Sequence, residues 1–317
     1  MTPTQLRAFA TVVRRGSVKA AAAELAVTEA AVSGHVAQLR RQLGDPLFTR
    51  TASGLAFTPG GLRLASRANE LLGLQDQTVR EVGEAARGQR LLRLIVSSMF
   101  AEYAAPGLIE LFAARARDLQ VEMSVRPAPD HQRALTSRAA DVVIGPTPPV
   151  VGAGVSVTPF LRYEVVVLAA PGHPLAGRRA RPAQLQRETW LLGPSAAERG
   201  VVTGVLRVLG VPEDQQRIFQ SHAAALEEAR RGQGVTVALA HAAAPDLAAG
   251  RLARVAGEGT QAGGTWSALT LADQGAAPTA AELRRFITTP RAIQAMLSGA
   301  GADVARFRPA LHVTLWS

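Results

Sequence analysis

Val32, Val36, Leu39 and Leu43 recur at i, i+4, i+7 and i+11, the stripe of a helix that buries one face. Ala21, Ala22 and Leu25 give a shorter, small apolar face just upstream. Ser17 and Thr28 stand where each helix would begin, since a hydroxyl can accept from the orphan N–H groups of a first turn. Ala26-Val27 leaves room only for a tight turn, so residues 17–39 read as a helix-turn-helix. At 100° per residue, the face opposite the second stripe carries Ala30, Ser33, Gly34, Ala37, Gln38 and Arg41. Its small residues would let a DNA major groove come close. Taken alone, the same pattern also describes two ordinary core helices.

The following segment separates these readings. Gly44 stops the helix, and two short apolar runs flank a turn at Ser53-Gly54, the outline of a β-wing. Thr58-Pro59 opens another helix with Thr as N-cap and Pro at the first position. The chain here resembles the LysR-type transcriptional regulators. The matching residues are Thr4-Gln5-Leu6-Arg7-Ala8-Phe9, Gly16-Ser17, Ala21-Ala22, Ser33, Leu39, Pro46-Leu47-Phe48-x-Arg50 and Thr58-Pro59-x-Gly61. The resemblance implies a DNA contact surface of Thr28, Glu29, Ala30, Ser33, Gly34, Gln38, Arg41, Arg50 and Thr58. Relatives often carry Gln-Pro after the capping Thr, and Arg, Gln or His after Ser33. This chain has Glu29-Ala30 and Gly34, so operator sequence does not transfer.

Charge sharpens the picture. The chain's net charge is +10 over 317 residues. Residues 1–68 hold nine Lys/Arg against three acids, a basic excess beside the helix-turn-helix as phosphate binding requires. Arg outnumbers Lys throughout, which codon bias explains, but bias does not place charge at one end. There is no cysteine, so disulfides, thiol catalysis and Cys-based metal sites are excluded. MTPTQLRAFATVV reads as a capped amphipathic helix, with Thr2, Pro3 and Gln5 at N-cap, N1 and N3, rather than a secretion signal. No apolar run reaches 18 residues, so a cytoplasmic protein with no membrane span is expected.

Residues 59–87 read as one long helix, and its apolar positions outrun what a small winged domain can cover. Leu64, Leu71, Leu72 and Val79 are therefore candidates for dimerisation, as the resemblance implies, with packing on the chain's own remaining domain as the alternative. A linker follows at Arg87-Gly88-Gln89. Beyond it the pattern turns β/α. Strands are expected at 91–96, 121–125, 141–145, 163–170, 190–192, 217–220, 235–239 and 266–271. Helices are expected at 103–115, 130–138, 197–209, 222–231 and 280–297. The fold class is α/β overall: an all-α winged helix-turn-helix (1–58), a linker helix (59–87) and a two-lobed effector domain (91–317). The resemblance, which extends to periplasmic binding proteins, puts lobe one at 91–162 with 269–317 and lobe two at 163–268.

Little else suggests chemistry. The six histidines are scattered without the spacing of a helical zinc site and read as surface or capping residues. There is no Gly-x-Ser-x-Gly, no phosphate loop and no dinucleotide fingerprint. Trp190, Trp266 and Trp316 read as core or edge residues. No metal, cofactor or catalytic residue is expected. A ligand cleft is better supported, because α/β sheets bind ligands beyond the carboxyl ends of their strands. Ser97, Ser98, Thr147, Ser195, Gln220, Ser221 and His241 lie at such ends. The resemblance places effector contacts at Ser98 and Ser195, although both serines could simply cap helices. Hydroxyls beside helix starts favour a small anion. Pro146 stands where some carboxylate-binding relatives place an arginine, which weakens the case for a dicarboxylate. The expected function is a regulator that binds promoter DNA as a homodimer or homotetramer. It would respond to a small polar or anionic effector, with RNA polymerase as a further contact. The rivals are a small-molecule carrier of the two-lobed fold and an enzyme on an α/β fold.

Overall fold

The computed structural model describes residues 1–51, 54–272, 275–298 and 311–314, the last group as backbone only. Residue contacts divide the chain into two units, 1–87 with 136–139, and 88–135 with 140–317.

The first unit runs α1 (Pro3–Arg15), α2 (Val18–Leu25), α3 (Glu29–Leu43), β1 (Phe48–Thr51), β2 (Gly54–Phe57) and α4 (Pro59–Arg87). Its boundaries follow from its caps. Thr2 and Gln5 cap α1 reciprocally, Ser17 Oγ accepts from Ala20 N–H at 3.4 Å, and Thr28 Oγ1 from Ala31 N–H at 3.2 Å. Ala26 takes the left-handed conformation at φ 53°, which closes the tight turn between α2 and α3. Phe9, Val12, Ala21, Val32, Val36, Leu39, Leu47 and Phe48 form one core. The expected stripe of α3 ends at Leu39, for Leu43 is 44% exposed in the last turn. β1 and β2 pair antiparallel, Phe48 opposite Phe57 and Arg50 opposite Leu55; Ser53 of the expected turn lies outside the described residues.

Asp45 ties the wing to α4. Its Oδ1 accepts from Leu47 N–H at 2.6 Å and from the Thr58 hydroxyl at 2.7 Å, while Thr58 Oγ1 accepts from Gly61 N–H at 2.9 Å. Gly61 is required here, because a Cβ would lie 2.0 Å from the Leu47 carbonyl oxygen. Along α4, Ala65 and Ala68 are buried, and Leu64 is half-buried against the winged-helix core. Leu72 is half-buried, while Leu71 and Val79 are exposed, as are Leu62, Leu74 and Val82.

The second unit begins β3 (Arg90–Val96), α5 (Ser98–Tyr103), α6 (Ala105–Ala113), β4 (Leu119–Val125), α7 (His131–Thr136), β5 (Val142–Pro146) and β6 (Val155–Ala169). It continues α8 (Pro182–Leu185), β7 (Trp190–Leu192), α9 (Val201–Leu209), β8 (Gln216–Ile218), α10 (His222–Arg230), β9 (Val235–Leu239) and α11 (Ala240–Ala248). It ends β10 (Ala253–Arg254), β11 (Gln261–Leu271), α12 (Pro278–Ile287), α13 (Pro290–Ser298) and β12 (Leu311–Thr314). β12, β4, β3 and β5 lie parallel at one end of the sheet, and β9, β7 and β8 lie parallel at the other. The antiparallel pair β6 and β11 runs through both lobes, with a register shift at Trp266/Ser267.

Several expected elements change in extent. The helix expected over 103–115 is the shorter α6, set off from the preceding α5 by Ala104, which leaves helical geometry at φ −130°. The helix expected over 197–209 starts only at Val201, after the extended Gly200. The closing helix is broken by Pro290, whose missing N–H and ring prevent α12 from continuing. β6 and β11 begin earlier than their purely apolar stretches suggest, and they pair with each other from Val155 opposite Leu271 to Val166 opposite Gln261.

Candidate DNA-reading face and ligand cleft

On α3, the side opposite the buried stripe stands free. Thr28, Glu29, Ala30, Ser33, Gly34, Gln38 and Arg41 are all exposed. A Cβ added at Gly34 would meet nothing within 4 Å, so the opening there is unfilled by the chain itself. Gln38 Oε1 accepts from Gln5 Nε2 at 2.6 Å, which ties this end of the face to α1. Arg50 is exposed on β1, whereas Thr58 is half-buried and spent on capping α4 and bonding Asp45. The basic residues divide by role. Arg40 turns inward, its guanidinium 4.5 Å above the Phe48 ring and bonded to Phe48 O at 2.7 Å. Arg14 and Arg15 both bind Glu24 and hold its carboxyl below the usual range. Lys19, Arg41, Arg50 and Arg63 make no ion pair among the described residues and are exposed.

In the second unit a cleft opens where the carboxyl ends of β3, β5 and β7 meet the crossing strands. Its lining includes Ser97, Pro146, Tyr163, Ser195, Arg199 and Trp266, and its volume including the mouth is about 310 Å³. The floor is aromatic: Tyr163 and Trp266 lie 4.6 Å apart between ring centres, and Phe100 meets Trp266 edge-on at 5.1 Å. Gly264 makes this possible, since a Cβ there would sit 2.4 Å from Tyr163 Cζ. Burial, then the nearby Glu198 charge, pushes the Tyr163 hydroxyl up to about 12, so it remains a neutral donor. Gly200, Val201 and Val202 also line the cleft, placing the start of α9 there with no side-chain cap. The Ser97 hydroxyl is buried with no partner. Arg199 is exposed at the rim and makes no ion pair among the described residues.

Of the seven candidate contacts, Ser97 and Ser195 come together in this lining. Ser98 is buried in the first turn of α5, its hydroxyl without a partner. Thr147 is exposed, and its hydroxyl pairs with Ser267 Oγ at 2.6 Å on the crossing strand. Gln220 is exposed, and Ser221 caps α10 through Ala224 N–H at 3.1 Å. His241 stands edge-on to Trp266, behind the floor, and burial lowers its pKa. Trp266 is more than a core residue because it also faces the cleft; Trp316 lies outside the described residues.

Sequence reasoning missed the most ordered polar group here. His222, expected to be a surface or capping residue, is 6% exposed. Its Nε2 lies 2.9 Å from Ser195 Oγ and its Nδ1 2.8 Å from Glu102 Oε2. Glu102 sits on α5 and also accepts from the backbone N–H groups of His222 at 2.8 Å and Ala223 at 2.6 Å. Burial alone would raise the Glu102 carboxyl's pKa, but these bonds hold it below the usual range. His222 rests on bare backbone, for a Cβ at Gly193 would fall 2.4 Å from its Cδ2. Glu102 and His222 are 120 residues apart, a separation with no local sequence signal. His131 is likewise buried, with Nε2 2.8 Å from Arg126 O, and burial lowers its pKa. Among the described residues, no group of acidic or histidine side chains is arranged to hold a metal, and no helix is long and apolar enough to cross a membrane.

The geometry agrees with what the chain resembles. The family model described as the bacterial regulatory helix-turn-helix protein of the lysR family matches residues 3–62. That of the LysR substrate binding domain matches residues 85–290. An uncharacterised HTH-type transcriptional regulator of Mycobacterium tuberculosis is 57% identical over 321 residues, covering 100% of both chains. The RuBisCO operon transcriptional regulator of Allochromatium vinosum is 29% identical, covering 91% of this chain and 96% of its own. Among solved structures, ArgP from Mycobacterium tuberculosis superposes with a TM-score of 0.57 at 20% identity, covering 94% of this chain and 97% of its own. An H2O2-bound OxyR mutant of Corynebacterium glutamicum gives 0.54 at 19%, covering 94% of each chain. At these identities the two structures speak to the fold.

Proposed function

The chain belongs to the LysR family of bacterial transcriptional regulators, and we propose that α3 reads its operator while the cleft of the second unit senses a small anionic metabolite. Regulators of this family bind DNA and small-molecule effectors and form oligomers. The observation that carries the DNA reading is the exposed, small-residue face of Ala30, Ser33 and Gly34, with Glu29 beside it. Such a face admits base edges without rearrangement. Arg50 contributes to phosphate binding rather than to base selection.

Support for an anion comes from three donors around one opening: the unpartnered Ser97 hydroxyl, the uncapped start of α9 and Arg199. The aromatic floor favours a flat or apolar body behind the charged group. Binding signals only if the effector prefers one arrangement of the protein over another. The protein works in the cytoplasm as a sensor rather than a catalyst, and Leu71, Leu72 and Val79 of α4 supply the dimer contact. DNase protection across the DNA flanking its own gene, with and without metabolite extract, tests this. A protected two-half-site region whose pattern changes with extract is expected. Uniform weak protection of all DNA would overturn the operator reading.

A further inference from the structure

Glu102, His222 and Ser195 are unlike the other polar groups of the second unit. Glu102 comes from lobe one, His222 and Ser195 from lobe two, and Ser195 faces the cleft. The order of protons along this chain can be worked out. Glu102 accepts two backbone N–H bonds and is ionised, so it has no proton to give. Nδ1 of His222, 2.8 Å from Glu102 Oε2, must therefore carry the hydrogen. In the neutral ring Nε2 is then a bare lone pair, and the Ser195 hydroxyl donates to it across 2.9 Å. The hydroxyl now offers the cleft only lone pairs, which suit a ligand's N–H or O–H and repel a carboxylate. When His222 takes a second proton from solvent, Nε2 donates to Ser195 Oγ. The hydroxyl's own hydrogen is released toward the cleft, where an anion can accept it.

Resting on the cleft being the effector site, we infer that the Glu102–His222–Ser195 relay couples effector binding to proton uptake, making the cleft selective for anions only while His222 is an imidazolium. The groups around His222 are compatible with this role. α5 contributes Glu102 and Tyr103, whose ring meets the imidazole edge-on at 5.9 Å and whose hydroxyl is buried and neutral. Beyond Tyr103 lies Arg230 of the same helix as His222, its charge taken up by Asp246 and Glu227. The turn after β7 contributes Ser195 and Gly193, and the cleft adds Glu198 and Arg199. The carboxylate touching the ring is thus that of Glu102, which anchors it across the lobes. Affinity for an anion should therefore be higher at pH 6 than at pH 8.

The test uses the full chain with nitrogen-15 histidine and benzoate, a flat carboxylate that stays ionised at pH 6 and pH 8. Ring nitrogen shifts, assigned by the resonance lost in His222→Asn, report the tautomer directly. Nδ1–H in the neutral form is expected, together with benzoate affinity about tenfold or more tighter at pH 6 than at pH 8. Ser195→Ala, a small change at the cleft wall, should cut that ratio to below twofold, as should Glu102→Gln. An Nε2–H tautomer would overturn the inference, as would equal affinity at the two pH values or an undiminished ratio in Ser195→Ala. The expected tautomer with no benzoate binding at either pH would instead overturn the reading of the cleft as an anion site, and the inference with it.

Discussion

The proposed DNA-reading face and the proposed ligand cleft hold their polar groups in opposite ways. On α3, Glu29, Ser33 and Arg41 point outward, and Gly34 leaves an opening the chain does not fill. In the cleft, Ser195 is already bonded to His222, His222 to Glu102, and Glu102 to the start of α10. If the first surface meets DNA as proposed, its partner has a fixed and repeating shape, and a rigid helix with small side chains is enough. If the second binds the effector as proposed, it distinguishes small molecules by one or two atoms, and hydroxyls already held by partners suit that task. Stability in the reading unit comes from caps and one core beneath the face. In the cleft, the bonds that shape the site also join its two lobes.

Two glycines allow this comparison to be broken one side at a time. Gly61→Ala would press a methyl to 2.0 Å from the Leu47 carbonyl, where neither backbone can yield. We expect a loss of about 3 kcal/mol and no operator binding, with the His222 ring resonances unmoved. Gly193→Ala would instead drive a methyl to 2.4 Å from the His222 ring and 2.9 Å from its Cα, so the ring and the start of α10 must both shift. It should cost about 2 kcal/mol and abolish the effector response while DNA binding survives. Thermal melts with band-shift assays decide both. If either variant lost both activities, the sites would not be separable in this way.

Assembly comes next in size. Leu71 is 44% exposed and Val79 68% exposed on α4, beside the half-buried Leu72. Covering such side chains is worth roughly 1.5–3 kcal/mol each when complete. Leu71→Glu with Leu72→Glu should therefore yield a monomer that no longer binds a two-half-site operator. Sedimentation at the size of the wild-type oligomer would show that this stripe is not the contact.

The two regions also differ in how far their sequence reveals them. Thr2 with Gln5, Ser17 with Ala20 and Thr28 with Ala31 bond at a separation of three, so the letters that make a cap stand together. The wing shows itself in the short apolar runs on either side of Ser53-Gly54 and in Thr58-Pro59, although the bond from Thr58 to Asp45 spans 13 positions and had no local signal. The order of strands and helices in the second unit was legible because buried parallel strands are short apolar runs. Ser97 could be named from its place after a strand and Ser195 from its place before a helix, whereas Ser98, the neighbour that the resemblance pointed to, does not line the cleft. His222 could not, because its partners are 27 and 120 residues away and its ring fits only over Gly193. Arg199 was hidden by the late start of α9, which moves a helix terminus and its free N–H groups to the cleft. The break at Pro290 was legible in principle and was outweighed by the apolar spacing around it.

Within the reading unit, base selection and phosphate binding should come apart. Glu29 is exposed in the first turn of α3 and can accept from a cytosine amino group. Glu29→Gln should alter preference at one base pair per half-site by roughly 1–3 kcal/mol. Arg50→Ala should weaken binding to every sequence alike and lower the salt slope by about one unit. A selected-site library run with both variants at several salt concentrations separates the two effects. An unchanged site preference in Glu29→Gln would confine that residue to the helix dipole. An altered preference in Arg50→Ala would move that residue from the backbone to the bases.

The smallest expected difference lies between two helix caps. Thr28 is the side chain bonded to the start of α3, through Ala31 N–H at 3.2 Å. Ser221 makes the equivalent bond at α10, through Ala224 N–H at 3.1 Å. At α10, however, the Glu102 carboxylate already accepts from His222 and Ala223, so two orphan donors are held by the other lobe. Thr28→Ala should cost about 1 kcal/mol, the usual loss for a hydroxyl cap. Ser221→Ala should cost about half of that, because Glu102 keeps the first turn in place when the hydroxyl is gone. In a Glu102→Gln background the Ser221 substitution should regain the full cost. Chemical denaturation of the four chains measures this coupling, and strictly additive losses would mean that Glu102 serves the imidazole and not the helix.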